Sequence, residues 1–340
     1  MRPVTQEDIA RELGVTRITV SKALRDHPDI SVAMKARVLK AAEEMGYSPN
    51  EIARQLTSRT TQTLGVVVPD LENSFFSHVV DSIIDTATDR DYQVLLAVSR
   101  EKEDIERKNI LNLAGKRVDG LLVCLTQQTR DRQVFHQVKK MGIPLVFYDR
   151  SLPETEFSRV VFDDAAGVNL AVDQIAGAGY SRIAHFAGYS TTAVGKERLE
   201  GFRAALQRNQ LPFREEWIFE GGFEVEDGYA AFQKIRSLGP LPQVIIAVND
   251  RVALGAYRAI REAGLRIPED IGIVGFGFSE TAELFSPTLS VITQDPRNMG
   301  IMAALLLIDE VRSEGPVAHQ HIRLKESFIW NQSVQSNSLS

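Results

Sequence analysis

Hydrophobic and polar positions change rhythm near residue 60. Before that point, apolar residues recur every three to four positions in three short blocks. Ile9, Ala10 and Leu13 make the first, Val20 and Leu24 anchor the second, and the third runs from Val32 to about Met45. That spacing puts each set on one face of a helix. Thr5, Thr16 and Ser31 stand where N-caps belong, Asp8 completes a capping-box pattern with Thr5, and Gly14 and Gly46 close the first and third helices. From Leu64 onward the runs L-G-V-V-V-P, Y-Q-V-L-L-A-V, D-G-L-L-V-C-L and I-P-L-V-F-Y alternate with helical patterns. A second series begins near Arg159, with strands R-I-A-H-F-A, V-I-I-A-V and I-G-I-V-G-F and helices around 165–177, 197–207, 227–237 and 251–263. This order predicts an α/β chain: an N-terminal three-helix domain, then two doubly wound parallel-sheet subdomains with helices on both sheet faces.

Three helices with a glycine-containing turn between the first two make a helix-turn-helix unit. Ala10, Gly14 and Val20 supply the small contact residue, the turn residue tolerant of positive φ and the core anchor. Arg17, Ile18, Ser21, Lys22 and Arg25 fall on the outer face of the second helix. Hydroxyls, amines and guanidinium groups there suit phosphates and base edges. A three-helix cap on a larger domain is the reading that the pattern alone leaves open. Between the two regimes lies Ser48–Thr60, S-P-N-E-I-A-R-Q-L-T-S-R-T, polar and opened by a proline. Its composition is that of a linker with weak helical spacing at Ile52, Ala53 and Leu56.

The 340 residues are 44% hydrophobic, enough for two or three domains. The single Cys124 excludes a disulfide framework and a Cys-rich metal site, and it suits a reducing cytosol. No run approaches the ~20 apolar residues of a membrane span, and M-R-P-V-T-Q-E-D lacks the apolar core of a secretory signal. A cytoplasmic, nucleoid-associated protein is the expectation. A net charge of −6 argues against nucleic acid until it is divided: residues 1–60 carry ten Lys and Arg against eight Asp and Glu. The basic bias therefore lies with the helix-turn-helix pattern.

Open α/β sheets bind ligands outside the carboxyl ends of their strands. Those ends hold Asn73, Phe75 and Phe76, then Asp149 and Arg150, then Arg198, Phe223, Asn249, Asp250 and Gln294. Sugars need this mixture, aromatic faces for C–H surfaces and planar polar groups that take hydroxyls in pairs. Structural alternatives stand beside it: Phe75 and Phe76 as helix core, Asp149–Arg150 as a surface ion pair, Asp250 as a helix cap. Catalytic patterns are missing. G-F-G-F-S-E lacks the third glycine of a dinucleotide loop, and there is no phosphate-binding loop, nucleophile elbow or metal-binding histidine pair. His319 and His321 alternate as on a strand, one exposed and one packed. No enzyme activity, cofactor or metal is expected.

V-T-Q-E-D-I-A-R-E-L-G-V-T-R-I-T-V-S-K-A-L-R, followed by G-Y-S-P-N-E-I-A-R-Q-L, resembles the head of a LacI/GalR-family transcription regulator, and the resemblance continues along essentially the whole chain. It implies DNA contacts from Thr16, Arg17, Ile18, Thr19, Ser21, Lys22, Arg25 and Tyr47, with Arg17, Ile18 and Lys22 as base readers. It implies a hinge that folds on DNA, with Leu56 wedged between base pairs and Asn50 and Ala53 beside it. It implies domains 1–48, 49–60 and 61–340, the last a type I periplasmic-binding-protein-like sensor. Its first lobe would take 61–161 and 293–319, its second 162–292 and 320–332. The ten strand-end residues match ligand positions of sugar-binding members. Gly277 departs from the pattern, standing where many relatives place an Asp that reaches a ligand hydroxyl. The function implied is a homodimeric repressor bound to operator DNA and controlled by a sugar or sugar derivative. The tail W-N-Q-S-V-Q-S-N-S-L-S is polar and lacks leucine heptads, so a dimer is expected. A solute-binding protein without DNA function is the alternative from another class.

Overall fold

A computed structural model describes residues 4–47, 60–152, 156–315 and 317–335, in two units that divide after Thr61. In the first unit, α1 spans Gln6–Leu13, α2 Arg17–Leu24 and α3 Val32–Glu44. Their starts are set by side-chain caps. Thr5 Oγ1 accepts from the Asp8 N–H at 3.3 Å while the Asp8 carboxylate accepts from the Thr5 N–H at 3.0 Å. Thr16 and Ser31 accept from the N–H groups of Thr19 and Met34. Gly14 ends α1 at φ +65°, a conformation that costs a side-chain-bearing residue energy. Ile9, Ala10, Val20, Ala23, Val38, Ala41 and Ala42 form the core, with Leu13, Leu24 and Tyr47 at its margin.

The second unit holds two six-stranded sheets. In the first lobe, β1 (Thr63–Val68), β2 (Gln93–Val98), β3 (Gly120–Val123), β4 (Leu145–Tyr148), β5 (Ser158–Phe162) and β11 (His321–Leu324) run parallel in the order β11-β5-β4-β3-β1-β2. Helices α4 (Ser74–Thr88) and α12 (Pro296–Arg312) cover one face through Val79, Ile83, Met299 and Leu307. Helices α5 (Glu103–Gly115) and α6 (Gln133–Lys140) cover the other through Ile110, Leu113, Phe135 and Val138. Burial on both faces explains the unbroken apolar runs of β1, β3 and β4. Gly300 lets α12 lie against α4, since a Cβ there would meet Ser82 Oγ at 2.1 Å.

In the second lobe, β6 (Ile183–Ala187), β7 (Ile218–Glu220), β8 (Val244–Ala247), β9 (Gly272–Gly277), β10 (Ser290–Thr293) and β12 (Ser327–Ile329) take the order β12-β10-β9-β8-β6-β7. Only β12 is antiparallel to its neighbour. Helices α7 (Asp164–Gly177) and α8 (Ala193–Arg208) pack on one face, α9 (Val225–Arg236) and α10 (Asp250–Glu262) on the other. The short α11 (Ser279–Ala282) follows β9.

The chain passes between lobes three times: after β5, after β10 and after β11. The last passage corrects the boundary expected near residue 320, because His321–Leu324 pairs with β5 and stays in the first sheet. Alternating apolar residues identify a strand but not its sheet. Helix α12 packs on β3, β4 and β5 and delivers the chain to that edge. Part of the polar tail is also packed: Val334 is buried, and the Ser333 hydroxyl donates to the Ile273 carbonyl at 2.5 Å. His319 and His321 are both exposed, against the alternation expected of them. Among the described residues no helix is long and apolar enough to cross a membrane, and no cluster of potential ligands could hold a metal ion.

Candidate functional site

The outer face of α2 presents the polar set expected of it. Thr16, Arg17, Ile18 and Arg25 are exposed, Thr19, Ser21 and Lys22 half-buried, and Ile18 is 70% exposed. Two of the cations are held in place. Lys22 Nζ lies 2.7 Å from Asp29 Oδ2, and Arg25 donates to Ser21 Oγ at 2.8 Å. Thr16 and Thr19 also share a hydroxyl–hydroxyl bond of 2.9 Å at the helix start. Tyr47 is half-buried against the three-helix core. Asn50, Ala53 and Leu56 lie outside the described residues.

All ten strand-end residues line one cavity of about 60 Å³ between the lobes. The first lobe supplies Asn73, Phe75 and Phe76 at the start of α4, and Asp149 and Arg150 after β4. Arg198 comes from α8, Phe223 from the turn before α9, Asn249 and Asp250 from the start of α10, and Gln294 from the end of β10. Each lies at or just beyond the C-terminal end of a strand or in the helix it leads into, where doubly wound sheets present side chains to ligands.

The aromatic residues divide between packing and display. Phe76 is buried in the first-lobe core, whereas Phe75 is half-buried and meets it edge to face at 5.4 Å. Arg150 lies between the rings of Phe76 and Phe223, 5.4 and 5.6 Å from their centroids, and so joins aromatic groups of both lobes. Its partner is Glu101 at 2.7 Å, with Asp149 at 3.9 Å, and it is buried. A surface ion pair is therefore not its role.

Asp149 adopts φ +57°, a left-handed conformation that is strained for a residue with a side chain and recurs at ligand sites. Burial pushes its carboxyl up to about 6, against the pull of Arg150. Asn249, not Asp250, caps α10: its oxygen accepts from the Val252 N–H at 2.7 Å and its amide donates to the Phe223 carbonyl at 2.9 Å. Asn249 thus fixes Phe223, and Asp250 lines the cavity with its pKa raised by burial, against hydrogen bonds from the Arg251 backbone N–H and the Thr281 hydroxyl.

The floor of the cleft is a polar network that the sequence did not reveal. Arg198 donates from Nε to Asp164 Oδ1 at 2.7 Å, bonds the Val248 carbonyl through Nη1, and stacks 3.6 Å from the Phe276 ring centroid. Gln294 donates to Asp164 at 3.3 Å and to Glu326 Oε1 at 2.6 Å. Asp164, Gln294 and Glu326 sit on the first, second and third passages between lobes. Burial, reinforced by Asp164, pushes Glu326 up to about 8. Nothing in the local sequence around Asp164 or Glu326 marks either as part of the site. Val194, Phe276 and Phe278 complete the wall, the two phenylalanines flanking Gly277. The alternation G-F-G-F at the end of an apolar strand was the available signal for them.

A helix-turn-helix unit joined to a two-lobed α/β sensor, with a polar and aromatic cleft between the lobes, defines a ligand-responsive DNA-binding regulator. The profile for periplasmic binding proteins and the sugar-binding domain of the LacI family matches residues 61–327, and that for bacterial regulatory proteins of the lacI family matches residues 5–50. The chain belongs to the LacI family, whose members bind DNA and regulate transcription in response to a small molecule. The HTH-type transcriptional repressor PurR of Vibrio vulnificus is 33% identical over 310 residues, covering 91% of this chain and 92% of its own. The lac repressor dimer bound to operator and the anti-inducer ONPF superposes with a TM-score of 0.87 at 27% identity, covering 98% and 99% of the two chains. The complex of the regulator CelR with cellobiose gives 0.74 at 30% identity, covering 98% and 100%.

Proposed function

We propose that this regulator is a homodimeric repressor whose grip on operator DNA is set by a sugar-like molecule held between its lobes. The convergence of ten strand-end residues from both lobes on one cavity carries this reading. Asp149, Asp250, Arg150 and Arg198 take ligand hydroxyls, and Phe75 and Phe223 lie against the sugar faces. Gln294 reports the occupied state to the passages between lobes. The pairing of CelR with cellobiose supports a sugar as the class.

Each α2 reads a half-site in the major groove, with Arg17, Ile18 and Lys22 at base edges and Ile18 against a thymine methyl. Thr16, Thr19, Ser21, Arg25 and Tyr47 hold phosphates. Residues 1–48 form the DNA-binding domain, 49–60 the hinge, and 61–340 the sensor and dimerisation domain. Ile84 on α4 and Leu95 and Leu96 on the edge strand β2 are each about 40% exposed. An apolar edge strand invites pairing or burial, and a second copy of this chain supplies the cover. The operator-bound lac repressor dimer supports the same assembly.

The hinge couples the two functions. Leu56 wedges between central base pairs with Asn50 and Ala53 alongside, and the lobes' relative orientation sets the spacing of the two hinges. The test is a salt-controlled operator titration of Leu56→Ala. Specific affinity should fall at least tenfold with effector affinity unchanged, and equal operator affinity for variant and wild type would remove the hinge from the account.

A further inference from the structure

Beside the effector cavity lies a second groove, about 370 Å³, bounded by the loop after β3, the loop after β4 and the start of α8. Arg150 lines both spaces. Arg130, Arg132 and Arg150 line the groove together with the hydroxyls of Thr126, Thr129 and Thr191, and no carboxylate is among its described lining residues. The effector cavity is different, since Asp149 and Asp250 there balance its two arginines.

Asp131, between the two arginines, accepts from the Gln133 N–H at 2.8 Å, and three further carboxylates bond the loop backbone. Glu101 accepts from the Gln127 N–H at 2.8 Å, Glu103 from the Asp131 N–H at 2.6 Å, and Glu106 from the Thr126 N–H at 2.7 Å. These bonds fix the loop backbone and leave Arg130 and Arg132 exposed, the Arg130 guanidinium donating to the Thr129 carbonyl at 3.1 Å. Two exposed arginines in a groove with no carboxylate among its described lining residues make a strong oxyanion receptor, because each guanidinium presents a planar fork of donors.

We propose that this groove is an anion subsite and that the effector is an acidic sugar derivative. Its sugar ring occupies the cavity between the lobes, and its phosphate or carboxylate group lies between Arg130 and Arg132. The inference rests on the sugar-binding reading of the cleft and narrows it to a substrate class.

The experiment titrates the full-length protein calorimetrically with inorganic phosphate and, separately, acetate, at constant ionic strength set by chloride. Wild type should show saturable one-to-one binding of one of them, and the tighter of the two identifies the substituent. R130Q/R132Q should weaken that binding about tenfold or more, the loss expected for charge-assisted hydrogen bonds. R130K/R132K should recover part of it. Both side chains are exposed, so unchanged melting temperatures keep the comparison interpretable. No saturable binding of either anion, or equal affinity in R130Q/R132Q, would overturn the subsite. Failure of the sugar reading would appear elsewhere, as neutral-sugar binding that survives Arg198→Ala.

Discussion

Arg198 and Asp164 form a buried ion pair, with Nη2 2.6 Å from Oδ1 and the two side chains only 5% and 7% exposed. It ties α8 of the second lobe to the first passage between lobes. Removing one member leaves the other charge buried without a partner, a loss of about 3–5 kcal/mol. Arg198→Ala should therefore destabilise the sensor by that order in urea denaturation and abolish sugar binding, with operator binding still measurable. A loss below about 1 kcal/mol, or retained sugar affinity, would contradict the role given to the pair.

Stability should fall with rising pH over a defined window. Glu326 titrates near 4.5 when exposed and is pushed up to about 8 in the fold. Between those values the native state holds a proton that the unfolded chain releases, so stability is full below about pH 4.5 and is lost as pH rises through about 8. Glu106, pushed up to about 7 by burial, and Asp149, pushed up to about 6, act with the same sign over narrower windows. Melting temperatures should therefore decline from pH 5.5 to 8.5. Glu326→Gln should flatten the decline in part, and an identical slope for the variant would exclude Glu326 as its source.

Lys22 is paired with Asp29, and that bond holds the Asp29 carboxyl below its usual range. On the proposed reading of α2, engaging DNA would exchange this partner for a base edge or a phosphate. Asp29→Asn should raise operator affinity and steepen its salt dependence, because a cation is released and an anion removed. Lys22→Ala should lower affinity. Gel-shift titrations at several salt concentrations read both, and an unaltered salt dependence in Asp29→Asn would place Lys22 away from DNA.

Arg251 spans the mouth of the cleft, with Nη2 2.5 Å from Glu224 and Nη1 3.7 Å from Asp70 of the other lobe. It is part-exposed, where ion pairs contribute about 0.2–1 kcal/mol. Arg251→Ala should weaken effector binding by about two- to fivefold, chiefly through faster dissociation. Stopped-flow kinetics separates the two rates, and an unchanged dissociation rate would show that the bridge does not hold the lobes together.

Local signals carried most of what the sequence disclosed. The caps at Thr5, Thr16 and Ser31 and the glycines at 14 and 46 are short-range devices, readable where they stand. The ten cleft residues were legible because strand C-termini in doubly wound sheets converge, whatever the loops between them. Asp164 and Glu326 escaped notice because their significance is long-range: 162 residues separate two acids that reach the same Gln294. The third passage was placed early for a similar reason, since the alternation of His321–Leu324 says strand and is silent on which sheet. Arg130 and Arg132 belong to no local motif, and only the fold brings them to one groove with Thr126 and Thr191.

The coupling between cleft and operator is tested most directly by one paired titration. Operator affinity is measured at fixed salt, with and without a saturating sugar ligand identified by thermal shift, for wild type and Arg198→Ala. A coupling of ~1–3 kcal/mol corresponds to a change of about 5- to 150-fold in wild type. A change of that size is expected in wild type and none in Arg198→Ala. Equal operator affinity with and without ligand in wild type would contradict it.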